Sequence, residues 1–187
     1  MKALRLVPAL LLLWAGGAKA ASCPNLQLMK NFSVDKFLGV WYMVQAEDNI
    51  FQTLKSCLAS TFTLLAENKI EVNSKGLDSS GAPATTQSTM EVDPENPAHM
   101  VTDFVPRSIP PVKPPFDILD TDYANYACVH SCISVVGFKT EFIFVYARNR
   151  TLETKLVEHC RKLFESNGLS TTNLVDVPQS NCERSEL

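Results

Sequence analysis

Asp120 to Cys132 reads DTDYANYACVHSC, with Cys128 and Cys132 four residues apart and His130 between them. In an extended strand the side chains alternate, so Cys128, His130 and Cys132 share one face, and Ala127, Val129, Ser131 and Ile133 share the other. Strand cysteines at i and i+4 lie about 13 Å apart, too far to bond each other. As a strand, the segment is therefore tied to two different partners, and the face bearing Val129 is left for an interior. No second cysteine or histidine pair stands nearby, so no metal is expected here.

All six cysteines (Cys23, Cys57, Cys128, Cys132, Cys160 and Cys182) follow residue 20. The segment 1–20, MKALRLVPALLLLWAGGAKA, combines Lys2 and Arg5 with an apolar run, Val7 to Trp14, and a small-x-small end at Ala18-Lys19-Ala20. That is the pattern of a secretory signal, with an apolar run too short to span a bilayer. Secretion and an even cysteine count imply three disulfides, whose pairing the spacing alone does not choose. Asn31-Phe32-Ser33 and Asn149-Arg150-Thr151 make Asn31 and Asn149 candidate glycosylation sites.

Residues 21–187 have the size of one ordinary domain. Without Lys2, Arg5 and Lys19, the 17 basic groups fall to 14 against 20 acidic ones. A mildly acidic surface without charge blocks argues against nucleic acid as a partner. No other apolar run is long enough to cross a membrane.

Strand formers concentrate in Gly39–Ala46, Ser56–Leu65, Lys69–Asn73, Thr85–Val92, His99–Phe104, Ile118–Ile133 and Glu141–Ala147. In the last, EFIFVYA, Phe142, Phe144 and Tyr146 share a face with Arg148, while Ile143, Val145 and Ala147 share the other. Both faces are apolar, as when one lines an interior and the other lies under a helix. Such a helix is at hand. Leu152, Leu156, Cys160, Leu163 and Phe164 recur at helical spacing, with Asn149 or Thr151 as N-cap and Asn167-Gly168 as the stop. A short strand, Asn173–Val177, follows. The Pro-rich run Pro106–Pro115 reads as a stiff loop between strands. About eight short strands with one late helix and one more strand after it suggest an all-β, antiparallel sandwich or barrel. A doubly wound fold is disfavoured, because one helix cannot cover both faces of a parallel sheet.

GVWY at Gly39–Tyr42, preceded by Phe32–Phe37, resembles the first signature of the lipocalins. Thr121-Asp122-Tyr123 resembles the second, and Arg148 at the end of FVYAR the third. The strings CPNLQLMKNFSVDKFLGVWY and DTDYANYACVHSC are similar to the apolipoprotein D branch and to the invertebrate pigment carriers, the crustacyanins and bilin-binding proteins. This resemblance implies an all-β, eight-stranded antiparallel up-and-down barrel with the C-terminal α-helix packed outside, and structural roles for Gly39, Trp41, Thr121, Asp122, Tyr123 and Arg148, with Trp41 and Arg148 stacked near a closed barrel end. It also implies the pairings Cys23–Cys132, Cys57–Cys182 and Cys128–Cys160.

With Trp41 inward and Cys57 outward, strand parity assigns a lining of Met43, Gln45, Leu58, Ser60, Phe62, Leu64, Val129, Phe142, Phe144 and Tyr146, with few polar handles. Gln45 and Tyr146 are the candidates for orienting a guest. The implied function is a secreted, extracellular carrier of one small hydrophobic ligand: a carotenoid, bilin, retinoid, sterol or fatty acid. No cofactor is required, although a carotenoid or bilin chromophore fits. A homo- or heterodimer is a possibility the family resemblance raises. The alternatives are a secreted interaction or defence protein with a filled barrel, or an enzyme. Against an enzyme, no Ser/His/Asp order or carboxylate pair stands out, and His130 falls on the outward face.

Overall fold

The computed structural model describes residues 22–48, 52–105, 113–135 and 138–183. The signal-like segment 1–20 and most of the proline-rich stretch, 106–112, lie outside them. Eight strands, β1 (Gly39–Glu47), β2 (Ser56–Ala66), β3 (Lys69–Leu77), β4 (Pro83–Val92), β5 (His99–Val105), β6 (Pro115–Thr121), β7 (Tyr126–Val135) and β8 (Phe138–Ala147), pair antiparallel in sequence order. β1 pairs with both β2 and β8, which closes the barrel. A ninth strand, β9 (Leu174–Asp176), adds to the late half of β1. Closure leaves the eight barrel strands without a free edge, so each ladder finds its partners internally.

Alternation divides the apolar residues into two clusters. The interior holds Trp41, Met43, Phe62, Ile70, Val72, Met90, Met100, Phe116, Val129 and Tyr146. The outer cluster holds Val44, Leu119, Tyr126, Ile143 and Val145, packed against Cys160 and Phe164 of α2 (Thr154–Ser166). β8 is thus apolar on both faces because it stands between the cavity side and the helix. The helix begins later than Asn149 or Thr151 as a cap would require. Glu153 occupies the N-cap position and its side chain makes no cap bond, while the preceding residues carry the chain from β8 onto the outer surface. The stop is as expected: the Asn167 N–H donates to Leu163 and Phe164 carbonyls, and Gly168 takes φ +76°.

The bridges are Cys23–Cys132, Cys57–Cys182 and Cys128–Cys160. Cys128 pins α2 to β7 and Cys132 pins the N-terminal segment to the same strand, so the paired cysteines of the opening segment serve two different partners. Separations of 109 and 125 residues in the first two bridges restrict the unfolded chain strongly.

One end of the barrel is closed by α1 (Val34–Phe37), a single turn that the sequence pattern did not indicate. Its Phe37 is 1% exposed and stacks on Trp41 at 4.9 Å between ring centroids. The Trp41 indole Nε1 donates to the Phe37 carbonyl at 2.7 Å. Gly39 takes φ +97° at the joint between α1 and β1, and a β-carbon there would press on the Arg148 guanidinium at 3.4 Å.

Two lining assignments are corrected. Gln45 does not face the interior. The β1–β8 register shifts between Met43 and Gln45, so Val44 and Gln45 both turn outward and Ala46 returns to the core. Leu64 is 49% exposed. The last β1–β2 rung is Gly39 with Phe62, so β2 runs beyond its neighbour and Leu64 has no β1 residue beside it.

The barrel interior as candidate functional site

The floor of the barrel is solid. Phe37, Trp41, Phe62 and Phe116 form a connected aromatic group, with Phe62 and Phe116 centroids 5.8 Å apart. From Phe116 the rings continue to Tyr146 at 5.9 Å, then to Phe144 and Phe142 at 6.4 Å each. This chain climbs β8 toward the opposite end. Exposure rises with it: Phe116 and Tyr146 are buried, whereas Phe142 and Phe144 are half-buried. Phe104, which pairs with inward Ser88, is 42% exposed. Among the described residues, then, the inward face is sealed at one end and more accessible at the other.

Of the predicted ligand-binding residues, Met43, Phe62, Val129 and Tyr146 are buried in the interior cluster, and Phe144 packs against it. Phe142 lies opposite Ser131 on the same inward face. Tyr146 is 6% exposed, and burial pushes its hydroxyl above the ordinary tyrosine range, so it stays protonated at any physiological pH. No hydrogen-bond partner for that hydroxyl exists among the described residues. Gln45 instead donates from Nε2 to Asp176 at 2.7 Å and accepts from Arg161 Nε at 3.1 Å, which joins β1, β9 and α2.

The lining also contains residues that the sequence reading did not assign. Ser74 and Thr86 are register partners, Ser60 pairs with Ser74, and Ser88 and Thr102 follow on β4 and β5. In TTQSTMEV, Thr86 and Ser88 share the parity of Met90 and Val92, and this was the available signal.

The motif residues hold the closed end. Asp122 accepts from the backbone N–H groups of Ala124, Asn125 and Tyr126 at 3.0, 2.7 and 3.1 Å. Burial raises its carboxyl, but the hydrogen bonds from the Asn125 side chain and from these amides outweigh that and hold it below the usual range. Thr121 Oγ1 donates to the Tyr126 carbonyl and accepts from the Tyr123 N–H. The Tyr123 hydroxyl accepts from the Ser33 N–H at 2.9 Å and thereby holds α1.

Outside the barrel, His130 is 2% exposed between two carboxylates. Its Nε2 is 3.0 Å from Glu141 Oε1 and its Nδ1 is 3.6 Å from Asp117 Oδ2. Burial raises the Glu141 carboxyl, but hydrogen bonds from His130 and Lys139 lower it further, to a net value below the usual range. His130, Cys132 and Glu141 have metal-ligand spacing, but Cys132 is bonded to Cys23 and offers no thiolate. Asn31 and Asn149, the sequon residues, are both exposed.

Known proteins resemble this chain in sequence and in fold. Mouse (Mus musculus) apolipoprotein D is 30% identical over 162 residues, covering 86% of this chain and 84% of its own. The crustacyanin-A1 subunit of Homarus gammarus is 27% identical over 150 residues, covering 79% and 80%. The crystal structure of lobster apocrustacyanin A1 superposes with a TM-score of 0.71 at 26% identity, covering 80% of this chain and 82% of that one. Insecticyanin from the tobacco hornworm Manduca sexta shares the fold, with a TM-score of 0.72 at 17% identity over 87% and 89% of the two chains. The sequence model of the lipocalin / cytosolic fatty-acid binding protein family matches residues 38–181, and the chain belongs to that family.

Proposed function

We propose that this protein is a secreted carrier that encloses one small hydrophobic ligand in the open half of its barrel. The observation that carries this reading is the gradient along the inward face. Phe37 and Trp41 are sealed at the floor, at 1% and 0% exposure, while inward Phe142, Phe144 and Phe104 remain accessible. The guest gains mainly from removing apolar area from water, about 25 cal/mol per Å² before ordering costs. Tyr146 is positioned to orient it.

Three disulfides suit an oxidising compartment. Exposed Asn31 and Asn149 are compatible with glycan attachment. The candidate ligands remain a carotenoid, bilin, retinoid, sterol or fatty acid. The pigment-carrier relatives favour a chromophore and a possible paired assembly. Mass spectrometry under native conditions, with a visible absorption spectrum, tests the reading on protein from its natural source. A co-purified hydrophobe, or one loaded at one equivalent, supports the carrier. Repeated failure to find or load any such molecule overturns it.

A further inference from the structure

The inner wall mixes rings, aliphatic side chains and hydroxyls: Ile70, Val72, Met90 and Met100 stand on β3 to β5, and Ser131 on β7. β6 and β8 supply Phe116, Phe142, Phe144 and Tyr146, whose rings form one continuous surface. Across the barrel, β2 to β5 supply a band of hydroxyls. Ser60 and Ser74 are bonded to each other at 2.8 Å, and Thr86 lies beside Ser74 in register. Ser88 is two residues further on the same strand, and Thr102 sits diagonally across on β5.

Ser88 and Thr102 are 8% and 5% exposed. Their hydroxyls have no hydrogen-bond partner among the described residues, and the same holds for Tyr146. Yet the only fully enclosed side-chain N or O atom without a partner, among the described residues, is His130 Nδ1, on the outer face. Ser88, Thr102 and Tyr146 all belong to the inward row, so the interior is where their hydroxyls can find a partner. Buried polar groups are nearly always paired, because leaving one unpaired forfeits its hydration without replacement. Apolar side chains would fit these wall positions without that cost.

Charge is missing from the same surface. At the inward strand positions of the described residues there is no Asp, Glu, Lys, Arg or His. His99, Asp117, His130 and Glu141 all belong to the outward row, as their register shows. Glu71, Lys75 and Glu91 alternate outward from Val72, Gly76 and Met90. A carboxylate drawn into this space would find hydroxyl donors but no cation, and would lose most of its hydration.

Accordingly, we infer that the barrel selects a neutral hydrophobe bearing hydroxyl or carbonyl oxygens, with its apolar face on the Phe142 and Phe144 rings of the aromatic wall and its oxygens on Ser88 and Thr102 across the barrel. This inference rests on the carrier reading and narrows it. Among the hydrophobes considered above it favours alcohols and ketones over free acids.

Three probes of one skeleton separate the two ideas: retinol, retinoic acid and the oxygen-free analogue axerophthene, each titrated into the full oxidised protein by fluorescence. At pH 8 retinol is expected to bind at least about tenfold more tightly than retinoic acid. The gap is expected to narrow as the pH falls toward about 5, where the acid neutralises. The double variant S88A/T102V is expected to weaken retinol at least about fivefold, as for one lost hydrogen bond, with axerophthene unchanged. Circular dichroism and a denaturation midpoint confirm that the variant is folded; if it is not, S88A alone carries the same comparison. Equal binding of all three probes by the wild type overturns the inference and leaves the carrier standing. So does an equal loss of retinol and axerophthene in the variant, which reports packing. Failure of the wild type to bind any of these probes, with no sterol bound either, overturns the carrier reading itself.

Discussion

The Arg148 guanidinium lies 3.8 Å from the centroid of the Trp41 ring and is anchored by four backbone carbonyls around it. Nε donates to Tyr123 at 2.9 Å, Nη1 to Val40 at 2.9 Å, and Nη2 to Lys36 and Phe37 at 3.0 and 3.3 Å. One side chain thus joins the end of β8, the β6–β7 turn, the start of β1 and α1.

A lysine at this position keeps the charge but not the planar fork. Arg148→Lys is expected to destabilise the fold by about 2–4 kcal/mol, through lost hydrogen bonds and stacking. Ligand affinity should be nearly unchanged, because the guanidinium lies against the floor and away from the mouth. Urea denaturation near neutral pH measures the first, and a ligand titration the second. An unshifted midpoint would contradict the account of the closed end.

The disulfides should differ in weight. Cys23–Cys132 spans 109 residues and Cys128–Cys160 spans 32. In the chain-entropy description their removal costs about 4–5 and about 3–4 kcal/mol respectively. Paired serine substitutions compared by denaturation should reproduce that order. Loss of the second bridge should also loosen α2, which amide exchange along Thr154–Ser166 would reveal.

Gln45 and Phe144 separate the outer face from the inner. Gln45→Leu breaks the bonds to Asp176 and Arg161 and should cost about 1–2 kcal/mol of stability. It should leave ligand affinity within about twofold, since a residue outside the wall makes no contact with the guest. Phe144→Asp places a charge on the inner wall and should weaken uptake of a neutral hydrophobe at least about tenfold. Parallel titrations of the two variants provide the check, and the opposite ranking would place the guest elsewhere.

Asp122 gives the fold an acid-sensitive turn. Its folded carboxyl is held below the unfolded value of about 3.9, so its contribution is fully present above that value and is lost as pH falls through the folded one. Asp122→Asn keeps an acceptor oxygen without a titrating proton. The stability gap between wild type and variant should therefore be open at pH 6 and shrink as the pH falls below the unfolded value of about 3.9. Urea midpoints at pH 6, 4.5 and 3 would show it, and a gap no smaller at pH 3 than at pH 6 would refute the assignment.

Much of this molecule was legible as alternation. The parity of Cys128, His130 and Cys132 against Val129 placed the first set outside and the second inside. The same rule read β8 as a strand between two apolar layers. Strand periodicity is local, so it survives in a sequence read alone. The motif residues Gly39, Trp41, Thr121 to Tyr123 and Arg148 were legible only through the family resemblance, because Arg148 joins them across 25 residues of chain to Tyr123 and 108 to Val40.

What the sequence settled by itself was the all-β class, the place of most strands, the late amphipathic helix, and the two faces of most strands, since each follows from the chemistry of near neighbours. The tertiary structure decided the rest. It placed the bulge that turns Gln45 outward, the register that ends β1 opposite Phe62 and bares Leu64, and the turn of helix whose Phe37 plugs the floor. It also gathered hydroxyls from four strands into one band. These features depend on how separate strands are aligned with one another, and a shift of a single residue reverses which face a side chain meets.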